Sequence, residues 1–291
     1  MTAPVFLHYD RAALDAQYNN RSKVPEFDAH LAFWAREGER ARALPGARLD
    51  LPYGSAPREV LNVFPAQGAS GPAPVLVYIH GGYWMSLTRA ISDFVALGLT
   101  PHGIAVVNID YTLVPEVRLD TLVHQSRRAV AWTIAHAASF GGDPARVWVA
   151  GHSAGGHLTA AVAATDWAAE GLGDGPRPRG GFAISGLHDL EPIRLSYLND
   201  TLAIDEAEAR RNSPIYLPAP PAGDWTLWVG GREGPEYLRQ SVALAAAWGS
   251  EGPRRMRVEV MAGADHFSIV APLADPAAPA TLAIAAALTA G

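Results

Sequence analysis

Seven short runs rich in Val and Ile recur along this chain, separated by stretches of helical texture, and that alternation constrains the fold more than any other feature. The runs are residues 58–64, 73–80, 103–111, 145–152, 180–185, 224–230 and 256–261. Apolar runs of this length, such as "APVLVYIH" and "ARVWVAGH", read as strands buried on both faces. Helices are predicted over about 88–99, 119–139, 155–169, 236–249 and 276–290. A further helical segment is predicted over about 8–43, with Leu31, Trp34 and Ala35 on one side. Strand and helix in turn give an α/β architecture, a mostly parallel sheet covered by helices on both faces. No internal repeat or long linker divides the 291 residues, so a single domain is expected. Residues 186–223 carry no clear strand and are expected to form a small helical lid over the sheet edge.

Composition narrows the partners. A net charge of -6 and a pI near 5.9 argue against nucleic acid or an anionic membrane and leave a small-molecule substrate. The sequence leaves a homodimer open. With no cysteine there is no disulfide, thiolate metal site or cysteine nucleophile. The first residues lack a basic stretch followed by a long apolar one, and the apolar C-terminal stretch is too short to span a bilayer. A soluble cytoplasmic protein is therefore expected.

The segment "VWVAGHSAGGHLTAAVAA" (147–164) carries the chemistry. A buried strand runs into Gly151-His152-Ser153-Ala154-Gly155 and an Ala-rich helix follows at once. This is G-x-S-x-G in the strand, sharp turn and helix that the motif requires of a nucleophile elbow. The bland alternative is a helix N-cap serine after a Gly-rich turn, and the presence of both strand and helix favours the nucleophile. The new helix points free N–H groups toward Ser153, and that of Ala154 is placed to stabilise an oxyanion.

A serine hydroxyl needs a base, and the base an orienting carboxylate, in the chain order Ser, acid, His. Three histidines follow Ser153. His157 lies one turn into the same helix, where a local packing or hydrogen-bonding role is expected, and His188 comes too early. His266 stands directly after the last predicted strand, where the base belongs. For the acid, Glu233 lies in the loop after the penultimate strand, with Glu236 and Asp265 in reserve. Glu236 suits the start of the next helix, Asp265 suits a turn, and Asp224 lies at the wrong end of its strand.

With these residues in place, the sequence resembles the α/β-hydrolase fold and, within it, the kynurenine formamidase (arylformamidase) group. "HGGYW" (80–84) is similar to that group's oxyanion-loop motif, "YNNRSKVP" (18–25) to its N-terminal segment, and "SGLHDLEPI" (185–193) to the stretch after a later strand. "GPEYLRQS" (234–241) resembles the stretch after its acid, although the animal members carry aspartate where this chain has Glu233. The resemblance implies hydrolysis of an N-formyl arylamine such as N-formylkynurenine by Ser153, His266 and Glu233. It implies an oxyanion hole of the N–H groups of Gly81, Gly82 and Ala154, and no metal or cofactor. Tyr83 and Trp84 are expected to wall the leaving group or to pack beneath the loop, His188 to sit near the pocket mouth, and His80 to organise the loop. A carboxylesterase acting on small acyl or aryl esters is the alternative. Every catalytic role has an occupant, which argues against a non-catalytic binding protein.

Overall fold

A computed structural model describes residues 3–169 and 175–290. Eight strands form one sheet: β1 (Arg48–Pro52), β2 (Val60–Phe64), β3 (Ala73–Ile79), β4 (Ala105–Ile109), β5 (Gly142–His152), β6 (Gly180–Ile184), β7 (Gly223–Gly230) and β8 (Arg254–Met261). Their spatial order is β1-β2-β4-β3-β5-β6-β7-β8. Strand β2 runs antiparallel to both β1 and β4, and every other pairing is parallel.

The central strands are apolar at every position because both faces are covered. In β3, Val75, Val77 and Ile79 enter one core while Leu76 and Tyr78 enter the other, as the period of two requires. Helices α5 (Leu119–His136) and α6 (Ala154–Ala163) pack on the first face. On the second lie α3 (Phe27–Arg42), α4 (Val95–Leu99) and α11 (Pro279–Thr289), while α10 (Pro235–Trp248) covers β7 and β8.

Three expectations are corrected. Residues 8–43 form three helices, α1 (Arg11–Tyr18), α2 (Asn20–Lys23) and α3, broken at Asn19 and at Val24-Pro25-Glu26. Pro25 lacks a backbone donor and restricts Val24, so helix cannot run through. Helix α6 stops at Ala163 rather than 169. Strand β1 was absent from the seven predicted runs; "RLDLP" is an edge strand, largely exposed, with no apolar run to betray it.

Residues 186–223 form three short helices, α7 (Glu191–Arg194), α8 (Asn199–Leu202) and α9 (Glu206–Arg211), and a 3-10 turn at Pro214–Tyr216. Among the described residues no single helix is long and apolar enough to cross a membrane. The register decides what meets at the carboxyl edge of the sheet. Ile79 is level with Gly151, His152 with Ile184, and Ile184 with Trp228, so the loops after β3, β5, β6 and β7 emerge side by side.

Candidate active site

Ser153 follows β5 and precedes α6, with φ 58° and ψ -116°. A side-chain-bearing residue is rarely found there, at a cost of roughly 1–3 kcal/mol. The neighbours make the turn possible: a Cβ on Gly155 would stand 1.9 Å from the carbonyl oxygen of Ile79, a clash with backbone that cannot move aside. Glycine at this position lets α6 start hard against β3, so the turn throws Ser153 outward above the sheet edge.

Three loops bring the predicted side chains together. His266 Nε2 lies 3.0 Å from Ser153 Oγ, and His266 Nδ1 lies 2.6 Å from Glu233 Oε2. With the proton on Nδ1, His266 donates to Glu233 and accepts from the serine. The other oxygen of Glu233 accepts from the Ser185 hydroxyl at 2.5 Å and from the Gly230 N–H at 2.7 Å. All three residues are buried or nearly so. The reserve acids are engaged elsewhere. Glu236 pairs with Arg239 and accepts from the Tyr18 hydroxyl, and Asp265 accepts from the N–H groups of Phe267 and Ser268.

His152, the residue between Gly151 and Ser153, was given no role from sequence. Its Nε2 donates to the carbonyl of His266 at 2.7 Å, and its ring lies 4.7 Å from that of His266. Burial, then the nearness of His266, hold its pKa well below the usual histidine value. It is a neutral tether between the elbow and the histidine loop.

The glycine pair after β3 sits beside this elbow. A Cβ on Gly81 would come within 2.8 Å of the His152 carbonyl, and one on Gly82 (φ +107°) within 2.2 Å of the Ser86 carbonyl. Among the described residues the N–H groups of Gly81, Gly82 and Ala154 have no acceptor. His80 organises the loop: Nδ1 reaches the Gly81 carbonyl at 2.7 Å, Nε2 reaches Asp110 at 3.1 Å, and the ring stacks on Tyr111. Burial would raise the Asp110 carboxyl, but His80 and Arg58 outweigh it and hold its pKa at about 2.

Tyr83 and Trp84 both adopt left-handed conformations, with φ 49° and 61°. Two bulky residues in that region need compensation. The Tyr83 hydroxyl donates to the Tyr18 carbonyl at 2.7 Å and accepts from Asn20 at 3.0 Å, with the Tyr237 hydroxyl 2.8 Å away. Trp84 is fully buried and donates to His157 Nδ1 at 3.1 Å. His157 in turn donates from Nε2 to the Asn212 carbonyl, so it has the hydrogen-bonding role expected of it, but through distant rather than local partners.

A cavity of about 420 Å³ opens over Ser153 and His266. Tyr83 lines it; Trp84 does not and takes the other expected place, packed beneath the loop, and His188 does not, a correction to its expected place near the pocket mouth. Trp84 is turned into the core by its backbone. His188, at the start of the segment 186–223, is fully buried, and neither ring nitrogen has a hydrogen-bond partner among the described residues. The far wall consists of Tyr18, Arg21, Phe27 and Trp34, with Tyr197 from the lid segment. Sequence reasoning attached no site role to these positions. The one available signal was the likeness of "YNNRSKVP" to a family segment.

This arrangement places a serine hydroxyl against a histidine that is held by a carboxylate, beside a cavity that Gly82 also lines, a geometry compatible with acyl transfer. A family model for the alpha/beta hydrolase fold matches residues 76–230. The chain is 36% identical over 273 residues to kynurenine formamidase of Danio rerio, covering 90% of this chain and 91% of that one. It is 32% identical to kynurenine formamidase of Salmo salar, covering 91% and 90%. Among solved structures, a protein of Silicibacter sp. TM1040, provisionally described as a thioesterase, superposes with a TM-score of 0.81 at 32% identity, covering 95% of this chain and 98% of that one. An esterase from Pyrobaculum calidifontis shares the fold at 18% identity and a TM-score of 0.70, covering 96% and 97%. The chain is a hydrolase that belongs to the α/β-hydrolase fold family and, within it, to the kynurenine formamidase-like group.

Proposed function

We propose that this enzyme hydrolyses an N-formyl arylamine, N-formylkynurenine being the leading substrate, to formate and the free amine. The observation that carries the reading is the unbroken line from Glu233 through His266 to Ser153 at the floor of an aromatic cavity. The identity to two kynurenine formamidases over most of the chain supports the choice of bond.

Ser153 Oγ attacks the formyl carbon as His266 Nε2 takes its proton. The carbonyl oxygen becomes an oxyanion facing the N–H groups of Gly81, Gly82 and Ala154. Each such preorganised donor is worth on the order of 3 kcal/mol in the transition state. Glu233 stabilises the imidazolium without taking its proton. His266 then hands that proton to the departing nitrogen, the C–N bond breaks, and a formyl ester remains on Ser153. Water, deprotonated by His266, attacks the ester; formate leaves and Ser153 recovers its proton. Arylamines depart poorly as anions, so proton delivery by His266 is essential to an amide and less so to an activated ester.

Hydrolysis of small acyl or aryl esters is the second reading, and the likeness to the Silicibacter protein, provisionally described as a thioesterase, supports it. The same residues would act, and an aryloxide or thiolate leaving group would depend less on proton delivery by His266. Comparing kcat/KM for N-formylkynurenine and p-nitrophenyl butyrate tests the choice. The formamide is expected to be far the better substrate, and the reverse ranking refutes the formamidase reading.

A further inference from the structure

We infer that Arg21 is a specificity residue of this pocket, taking the carboxylate of an anionic aromatic substrate at the cavity mouth. The inference rests on the formamidase reading for the identity of that substrate. It rests on the cavity itself for the charge.

Arg21 lies in the short helix α2 and lines the cavity while remaining exposed to solvent. Its guanidinium carbon lies 4.7 Å from the centre of the Phe27 ring, which is also in the wall. A stacked guanidinium keeps its N–H donors around the rim of the plane, free for a carboxylate. Among the described residues no carboxylate stands within ion-pair distance of Arg21, and no Asp or Glu lines the cavity.

Other arginines show what the usual arrangement is here. Arg58 and Arg89 share Asp110, Arg118 pairs with Glu208, Arg128 with Glu59 and Arg239 with Glu236. In a chain of net charge -6, an arginine without an acidic partner on the wall of an acid-free pocket makes a local positive field. Tyr197, which also lines the cavity, stands between two opposite charges: burial and then Asp15 raise the pKa of its hydroxyl, and Arg21 opposes the rise. Arg21 and Tyr197 thus frame the mouth, with aromatic faces below them and Ser153 at the floor.

A substrate that fits carries the scissile formamide on an aryl ring and a carboxylate on a further substituent of that ring. Among N-formyl arylamines, those bearing an amino-acid side chain or a ring carboxylate qualify, and a plain formanilide does not.

The test measures kcat/KM for N-formylkynurenine and for neutral formanilide with the wild-type enzyme, Arg21→Gln and Arg21→Lys. A charge-assisted hydrogen bond lost on glutamine substitution is expected to lower the anionic-to-neutral kcat/KM ratio roughly ten- to hundredfold, chiefly through KM. Arg21→Lys is expected to restore part of it. A ratio that stays near the wild-type value in Arg21→Gln overturns the inference, whatever the absolute rates. If wild-type enzyme turns over neither formamide, the formamidase reading fails. Arg21 is then judged on 4-acetoxybenzoate against phenyl acetate, where the same fall in ratio upholds carboxylate recognition and an unchanged ratio refutes it.

Discussion

Glu233 grips His266 with one carboxylate oxygen and is itself gripped through the other. Oε2 accepts from His266 Nδ1 at 2.6 Å, while Oε1 accepts from Ser185 Oγ and the Gly230 N–H. The carboxylate has no freedom to turn, so the imidazole presents Nε2 to Ser153 without searching. Replacing Glu233 by Gln keeps the shape but removes the charge that stabilises the imidazolium, and allows an amide N–H to face Nδ1. Turnover in Glu233→Gln is expected to fall by roughly 10²–10⁴, as in other triads that lose their acid. Asp265→Asn, which retains an oxygen for the turn, is expected to stay within about tenfold of wild type. Steady-state rates for both variants check the assignment; equal losses would return Asp265 to contention.

Ser185 tests how much the grip on Glu233 matters. Its hydroxyl is buried and its φ of 49° is unusual for a residue with a side chain. Ser185→Ala leaves Oε1 with the Gly230 N–H alone. A hydrogen bond to a charged group contributes about 1.5–3 kcal/mol, only part of which reaches the transition state, so kcat is expected to fall roughly three- to tenfold with KM nearly constant. The variant should cost little or nothing further when Glu233 is already Gln, since both act through His266. Additive losses in the double variant would show that Ser185 acts elsewhere.

What was legible in the sequence depended on whether a residue's role leaves a local signature. Ser153 was legible because the elbow needs two glycines, a strand before and a helix after, all contiguous. His266 and Glu233 were legible because chain order and the loops after the last two parallel strands confine them. Ser185, His152 and Arg21 left no such trace. Their partners lie 48, 114 and 6 residues away, and no periodicity marks a polar residue that works through one tertiary hydrogen bond or one ring contact. For Trp84 the sequence left a wall and core packing both open, and only the left-handed backbone, which turns the indole into the core, decides between them. Strand β1 was missed because an exposed edge strand needs no apolar run.

The two glycine positions separate catalytic geometry from folding. At Gly82 a Cβ would meet the Ser86 carbonyl, within a loop that can shift, and φ +107° disfavours any side chain. Gly82→Ala is expected to fold, lose about 1–3 kcal/mol of stability, and lose 10²-fold or more in kcat as the N–H donors move. At Gly155 the obstruction is β3 itself, 1.9 Å away, with no slack in the centre of the sheet. Gly155→Ala is expected to lose more than about 4 kcal/mol or to fail to accumulate as folded protein. Thermal melts beside activity assays distinguish the two. A Gly155→Ala enzyme with a normal melting temperature would contradict the packing described for the elbow.

Buried histidines set the acid limit of the fold. Burial drives the pKa of His157 down to about 4 and that of His188 to about 3, and holds His152 well below the ordinary value. Each is neutral when folded but takes a proton near pH 6.5 when unfolded. The unfolded state therefore binds more protons below pH 6.5, and stability falls as pH drops from there toward the folded-state values. His157 alone accounts for a loss of about 3 kcal/mol across its window, from pH 6.5 to about 4. Geometry acts in the same direction as burial: Nδ1 accepts from the Trp84 indole and would become a second donor on protonation. His188 offers the sharper experiment, since its ring nitrogens have no partners among the described residues and it does not line the cavity. His188→Leu replaces an unsatisfied buried imidazole with an apolar group of similar size and is expected to raise stability by about 1 kcal/mol at pH 7. It should also flatten the decline between pH 6.5 and 5, because one proton-binding group has been removed from the unfolded chain. Urea titrations at pH 7, 6 and 5 measure both effects. A variant less stable than wild type at pH 7, with an unchanged pH slope, would mean that His188 has a bonding partner in solution and titrates no differently on unfolding.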